Sequence, residues 1–263
     1  MKRRYLIGGG LLLLVIACIL FGVMAWQKAN PPETAEVRVR AAVLERGTAA
    51  HAPEASDAPE AAAPSYESPV DFESLWEMNP DIYAWLYIPG TEVSYPILQR
   101  EGEDDFYLRR NSECESDTAG CIFTEGTYTK KDFSDPVTVV YGHCMRAGTM
   151  FGTLQSTYSA PGGIEGYRDI VVYLPERELR YEVFAAVPYD TRHILYYHDF
   201  TDPAVFEAFL ERTLSVRSIN ASIDEEAEVT AGDKLLVLST CLRGDSQQRY
   251  LVLAKKAQES PAP

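Results

Sequence analysis

The chain has 263 residues, of which 46% are hydrophobic and 24% charged, and a formal charge of -15. Seven Lys/Arg and seven Asp/Glu cancel within residues 1–70, so the whole imbalance falls on the roughly 190 residues that follow, enough for one domain with a full hydrophobic core. An acidic domain repels nucleic acid at long range and no basic stripe offsets this, which argues against a nucleic-acid partner.

In chain order, Lys2, Arg3 and Arg4 precede an apolar run over residues 6–26. A run of about 20 such residues can cross the hydrocarbon core as a helix, and the basic cluster predicts an inside N-terminus with the remainder outside. The run is long for a signal-peptide core and no small-x-small site closes it, so residues 1–28 are expected to be an uncleaved signal anchor. Residues 29–69 turn to Ala, Pro and Glu and hold too few large apolar side chains for a core; a flexible stalk is expected there. The folded domain is then predicted over residues 70–257, with 258–263 as a disordered tail.

Within the domain, Asp71 is placed to cap a helix over 72–78, with Phe72, Leu75 and Trp76 on one side, and Asn79-Pro80 ends it. Strands are predicted over 82–88, 93–98, 120–124, 137–142, 169–174, 179–187, 234–239 and 249–254. Short helices are predicted over 105–109 and 150–157, and a longer one from Asp202-Pro203 to Ser215, where Phe206, Phe209, Leu210 and Leu214 have helical spacing. Many strands with few short helices favour a mostly β barrel or mixed sheet over a βαβ repeat.

Outside the apolar N-terminal run, which holds Cys18, the cysteines are Cys114, Cys121, Cys144 and Cys241. There is no CxxC pair, and His51, His143, His193 and His198 are scattered, so no metal site or cofactor is implied. The spacing of Cys114 and Cys121 permits a disulfide, although free thiols are the simpler account. His193 and His198 lie in the aromatic-rich DTRHILYYHDF, where loop packing or a groove wall is the ordinary role.

Cys241 follows the strand-like LLVLST, His143 ends the apolar VTVVYGH, and Arg249 lies eight residues beyond the cysteine. Each alone suits a structural role as well as a functional one: packing for the cysteine and histidine, a salt bridge for the arginine. Together they make a candidate site in which a thiolate attacks, an imidazolium protonates a departing amine, and a guanidinium donates hydrogen bonds without competing as an acid. Isolated groups with pKa values of about 8.5 and 6.5 place under about 1% of molecules in the thiolate–imidazolium state at pH 7, so the surroundings matter.

With LLVLSTC, RYLVLAK, VVYGHCM, GCIFTEG and the segment NPDIYAWLYIPGTEVSYPILQ, the chain resembles the sortase family, and within it class B, over about residues 71–256. The resemblance implies an eight-stranded β-barrel with added short helices, one of them in the insertion before the cysteine strand. It implies a cysteine transpeptidase of Gram-positive bacteria that cleaves the sorting signal of surface proteins after Thr. Cys241 would be the nucleophile, His143 the general acid and base, and Arg249 the support of substrate and oxyanion, with Ser239 and Thr240 lining the groove. The acyl group would pass to an amine of peptidoglycan or to a pilin lysine, at the outer face of the cell membrane. Cys144, one residue past His143, is expected to point away from the site. Two alternatives stay open on the residues alone: a cell-wall cysteine peptidase or amidase with water as acceptor, and an inactive surface scaffold.

Overall fold

A computed structural model describes residues 66–259. The expected anchor and nearly all of the expected stalk, together with the last four residues, lie outside the described part. Among the described residues no helix is long and apolar enough to cross a membrane.

Helix α1 (Phe72–Met78) begins at Asp71, whose Oδ1 accepts the Ser74 amide hydrogen at 3.0 Å and thereby satisfies one of the orphan donors of the first turn. Phe72 and Leu75 are buried, whereas Trp76 stays 41% exposed and anchors its indole N–H on the Ile82 carbonyl at 2.8 Å. Strands β1 (Ile82–Tyr87) and β2 (Ser94–Leu98) form a hairpin, and a short 3-10 helix (Phe106–Arg109) precedes β3 (Ile122–Phe123) and β4 (Val137–Tyr141). Helices α2 (Leu154–Tyr158) and α3 (Gly163–Gly166) lead into β5 (Asp169–Tyr173) and the long β6 (Glu178–Tyr189). Then come α4 (Ile194–Tyr197), α5 (Pro203–Leu214), β7 (Ser222–Ile223), β8 (Leu235–Leu242) and β9 (Asp245–Glu259). Asp202 caps α5 through the Ala204 amide at 2.9 Å, with Pro203 at the first helical position.

The strands run in the order β5-β1-β2-β3-β4-β8-β9-β6, and pairing of β6 with β5 closes the ring. This is the expected eight-stranded barrel; β7, two residues long, hangs on the outside of β6 as a ninth strand. The pairs β2–β3 and β4–β8 are parallel and the other neighbours antiparallel.

Strand alternation sorts the core. Leu236 and Leu238 of β8, Tyr250 and Val252 of β9, and Ile170 and Val172 of β5 fill the barrel interior. Leu235 and Val237 of β8 and Leu251 and Leu253 of β9 face outward into a second cluster with Phe206 and Phe209 of α5. A third cluster packs Phe72 and Leu75 of α1 on Trp85, Tyr87 and Tyr173. Burial on both faces explains why these strands read as continuous apolar runs rather than as alternating ones.

Several bounds differ from the sequence reading. The segment 120–124 forms only a two-residue strand, and the helix expected over 150–157 starts at Leu154. The stretch between the strands expected over 234–239 and 249–254 is a tight hairpin: β8 runs to Leu242, β9 starts at Asp245, and Gly244 turns the chain at φ +92. Helices α3 and α4 and strand β7 were not expected.

Candidate active site

Cys241 and Arg249 face each other because β8 and β9 are antiparallel and their register pairs these two residues directly. Both share the outward parity of Leu235, Val237, Leu251 and Leu253. The Arg249 guanidinium Nη1 lies 3.7 Å from Cys241 Sγ and is further held by the carbonyls of Ser246, at 3.3 Å, and Gln248, at 3.5 Å. The turn itself is tied down from below, since Arg243 donates its amide to Gln155 Oε1 at 2.8 Å and its Nη2 to the Gly152 carbonyl at 2.7 Å.

His143 arrives from the neighbouring strand. β4 and β8 are parallel and Tyr141 pairs with Ser239, so His143 and Cys241 each stand two residues further along adjacent strands. Gly142 makes the passage possible: a Cβ there would lie 2.4 Å from Ile122 Cδ1 and 2.7 Å from Phe151 Cδ2. The His143 ring is 2.8 Å through Nε2 from the Leu108 carbonyl of the 3-10 helix. A carbonyl can only accept, so Nε2 carries the proton and Nδ1 is left as the nitrogen for exchange.

The three residues border one cavity of about 350 Å³, together with Ser239 and Thr240. Thr240 is 3% exposed, and its Oγ1 is buried with no hydrogen-bond partner among the described residues. Arg249, for which a salt bridge was the ordinary alternative, pairs with no carboxylate among the described residues. The rest of the lining consists of Asp105, Leu108, Phe123, Glu125, Tyr141 and Gly142, with Thr191, Arg192, His193 and Ile194 from the loop into α4. Burial pushes the Glu125 carboxyl up, with the His193 hydrogen bond pulling the other way.

Cys144 does not border this cavity; it sits past the end of β4 in an isolated bridge with Met150. Cys114 and Cys121 form no disulfide: Cys114 is exposed and Cys121 buried, with Cys121 Sγ 3.3 Å from the Arg110 carbonyl.

Comparison with known proteins agrees with this arrangement. Residues 86–257 match the sortase domain family. The chain belongs to the sortase family. Sortase B of Listeria monocytogenes is 31% identical over 193 residues, covering 68% of this chain and 69% of that one. Sortase B of Staphylococcus aureus is 30% identical over 186 residues, covering 70% and 73%. The crystal structure of Clostridium perfringens sortase B superposes with a TM-score of 0.62 at 25% identity, over 72% of this chain and all of that one. A substrate complex of the S. aureus enzyme gives 0.60 at 27% identity, over 73% and 87%. As a class B type sortase, the chain is a cysteine transpeptidase that cleaves sorting signals, with surface proteins as donors and peptidoglycan-linked amines as acceptors in general terms.

The cavity brings together all five site residues that the sequence singled out, His143, Ser239, Thr240, Cys241 and Arg249. Sequence reasoning missed Phe123, Tyr141, Glu125, Asp105 and the Leu108 carbonyl. The carbonyl carries no side-chain signal at all, and the two carboxylates are ordinary loop residues until the barrel closes.

Proposed function

We propose that Cys241, His143 and Arg249 carry out acyl transfer in two steps. The Cys241 thiolate adds to the carbonyl carbon of the residue before the scissile bond. The C–N bond then breaks, the departing amine takes a proton from His143 Nδ1, and the acyl group stays on sulfur as a thioester. In the second step an acceptor amine adds to the thioester, its proton passes to Nδ1, and the thiolate leaves. Arg249 donates hydrogen bonds to the oxygen that becomes negative in each addition. Ser239 and Thr240 border the bound peptide.

The observation that carries this reading is the Cys241–Arg249 cross-strand pair, with a guanidinium whose fork is not used by any carboxylate among the described residues. On this reading the acceptor is a peptidoglycan cross-bridge or precursor amine, or a pilin lysine. Residues 1–28 anchor the chain in the membrane with the N-terminus in the cytoplasm, residues 29–69 form the stalk, and residues 70–257 work outside.

The test is a mass-resolved assay of the full chain in detergent with fluorogenic LPxTG-, NPxTx- and SPxTG-like peptides, with and without triglycine. The expected result is cleavage after Thr and a product extended by the amine. Cys241→Ala is expected to lose at least about a thousandfold in turnover. Cleavage with no amine capture would replace transfer by hydrolysis, and near-normal turnover by the alanine variant would remove Cys241 as nucleophile.

A further inference from the structure

The same cavity is bordered by a pair of polar side chains that the acyl transfer does not consume. Glu125 lies two residues beyond β3 and His193 directly before α4, and they meet at the rim. His193 Nε2 is 2.9 Å from Glu125 Oε1 and 2.8 Å from Oε2. The other ring nitrogen, Nδ1, accepts the Tyr196 amide hydrogen at 3.1 Å and so caps α4. These partners assign the tautomer: a lone pair on Nδ1 for the amide, a proton on Nε2 for the carboxylate. With both nitrogens occupied, this imidazole has no free lone pair for the reacting groups. It is no second general base.

What it does instead is join two elements. The segment Thr191 to Ile194 forms one wall of the cavity and continues into α4, a single turn of four residues. A helix of that length has no stability of its own and holds its place only through tertiary contacts. Its far end is closed by His198 Nδ1 on the Ile194 carbonyl at 2.9 Å. Its near end is flanked by exposed ion pairs of Asp190 with Arg192 and Arg212, a type of contact that contributes little. The Glu125 side chain is only 14% exposed, and the His193 ring centroid is 5.0 Å from that of Tyr128 and 6.3 Å from that of Tyr141. Beside the apolar anchor of Ile194, which is buried in the cluster with Val139 and Phe184, this bond is a partly buried polar tie between the α4 wall and the barrel.

We propose that the Glu125–His193 bond is a positioning strut that fixes the α4 wall against the barrel, so that these two residues set the grip on the donor peptide without making or breaking its bonds. The proposal rests on the reading of the Cys241 cavity as the acyl-transfer site.

The full chain in detergent tests it, with steady-state kinetics on the cleaved peptide and, in parallel, the rate of Cys241 alkylation by iodoacetamide. His193→Asn keeps a good helix cap for the Tyr196 amide but cannot span to Glu125; Glu125→Ala removes the other partner. Each is expected to raise KM about tenfold with kcat lowered less than threefold and the alkylation rate within twofold of the parent. The double variant is expected to match either single one, because both remove one bond. Glu125→Gln keeps an acceptor for Nε2–H without the charge and is expected to raise KM about threefold; it carries the test if the other variants do not fold. Unchanged KM, additive effects in the double variant, or a fall in kcat at constant KM would overturn the strut. A parent enzyme that turns over no peptide would overturn the acyl-transfer reading itself, an outcome visible before any variant is made.

Discussion

At the residue scale, the question is what Arg249 contributes that another cation would not. Its guanidinium is oriented through Nη1 by two backbone carbonyls and reaches the sulfur from across the strand pair, and its Nη2 and Nε donors are not used by these contacts. A planar fork with several fixed donors can hold a developing oxyanion and a peptide carbonyl at once; an ammonium on a flexible stem is a point charge. Arg249→Lys is therefore expected to lower kcat/KM about a hundredfold, in the range seen for loss of an oxyanion donor, while melting temperature changes little. Retention of more than half the parental kcat/KM would show that charge alone suffices. The site's side chains were legible in the sequence because each ends or opens an apolar strand next to a break in the pattern: His143 after VTVVYG, Cys241 after LLVLST, Arg249 before YLVLA. The tautomer of His143 was not legible, since it depends on a carbonyl 35 positions away, brought close by the barrel.

At the element scale, the ends of β4 and β8 place the chemistry, and Gly142 is where that placement is most constrained. Its neighbours are core side chains, Ile122 of β3 and Phe151, and neither can withdraw without disturbing the barrel interior. An added methyl group must push the backbone away from them, and the next residue is His143. Gly142→Ala is expected to cost about 1–3 kcal/mol of stability by overpacking and to lower kcat more than tenfold. Denaturant unfolding together with steady-state kinetics reads both; a stable variant with parental kcat would show that the strand end can shift freely. The elements that the sequence hid are those with no pattern to display. α4 is one turn capped by a histidine, which is not a usual capping residue, and β7 is two residues long. The start of β9, Asp245 to Gln248, is polar and looks like a loop; Asp245 pairs with Leu242 because Gly244 supplies the positive φ of a tight turn, and Ser246 to Gln248 bulge out before Arg249 meets Cys241.

At the scale of the whole molecule, β5–β6 is a hairpin of consecutive strands, but the ring closes only through β1–β5, β4–β8 and β6–β9, which join segments distant in sequence and could be anticipated from the family resemblance but not from any local signal. The fold has a measurable consequence at alkaline pH. The barrel interior buries the phenols of Tyr83, Tyr158 and Tyr250, packing on its outer face covers those of Tyr173 and Tyr141, and burial pushes the ionisation of all five well above the ordinary value near 10. For Tyr141 the negative charge of Glu125 adds to the effect. A group whose folded value is raised contributes stability that is fully present below its unfolded value. That contribution is lost as pH rises from about 10 toward the folded value, because only the unfolded chain releases the proton. By pH 11 each phenol forfeits about 1.4 kcal/mol and the five together about 7 kcal/mol, which is comparable with the roughly 5–15 kcal/mol net stability of a domain. The protein is therefore expected to unfold cooperatively between about pH 10.5 and 11.5. Phenolate absorbance near 295 nm should rise in two parts, a gradual one for the exposed tyrosines and a steep one that coincides with the loss of circular dichroism. A single smooth titration near pH 10 with the circular dichroism intact would mean that the buried phenols ionise in place, and that packing does not hold them from water.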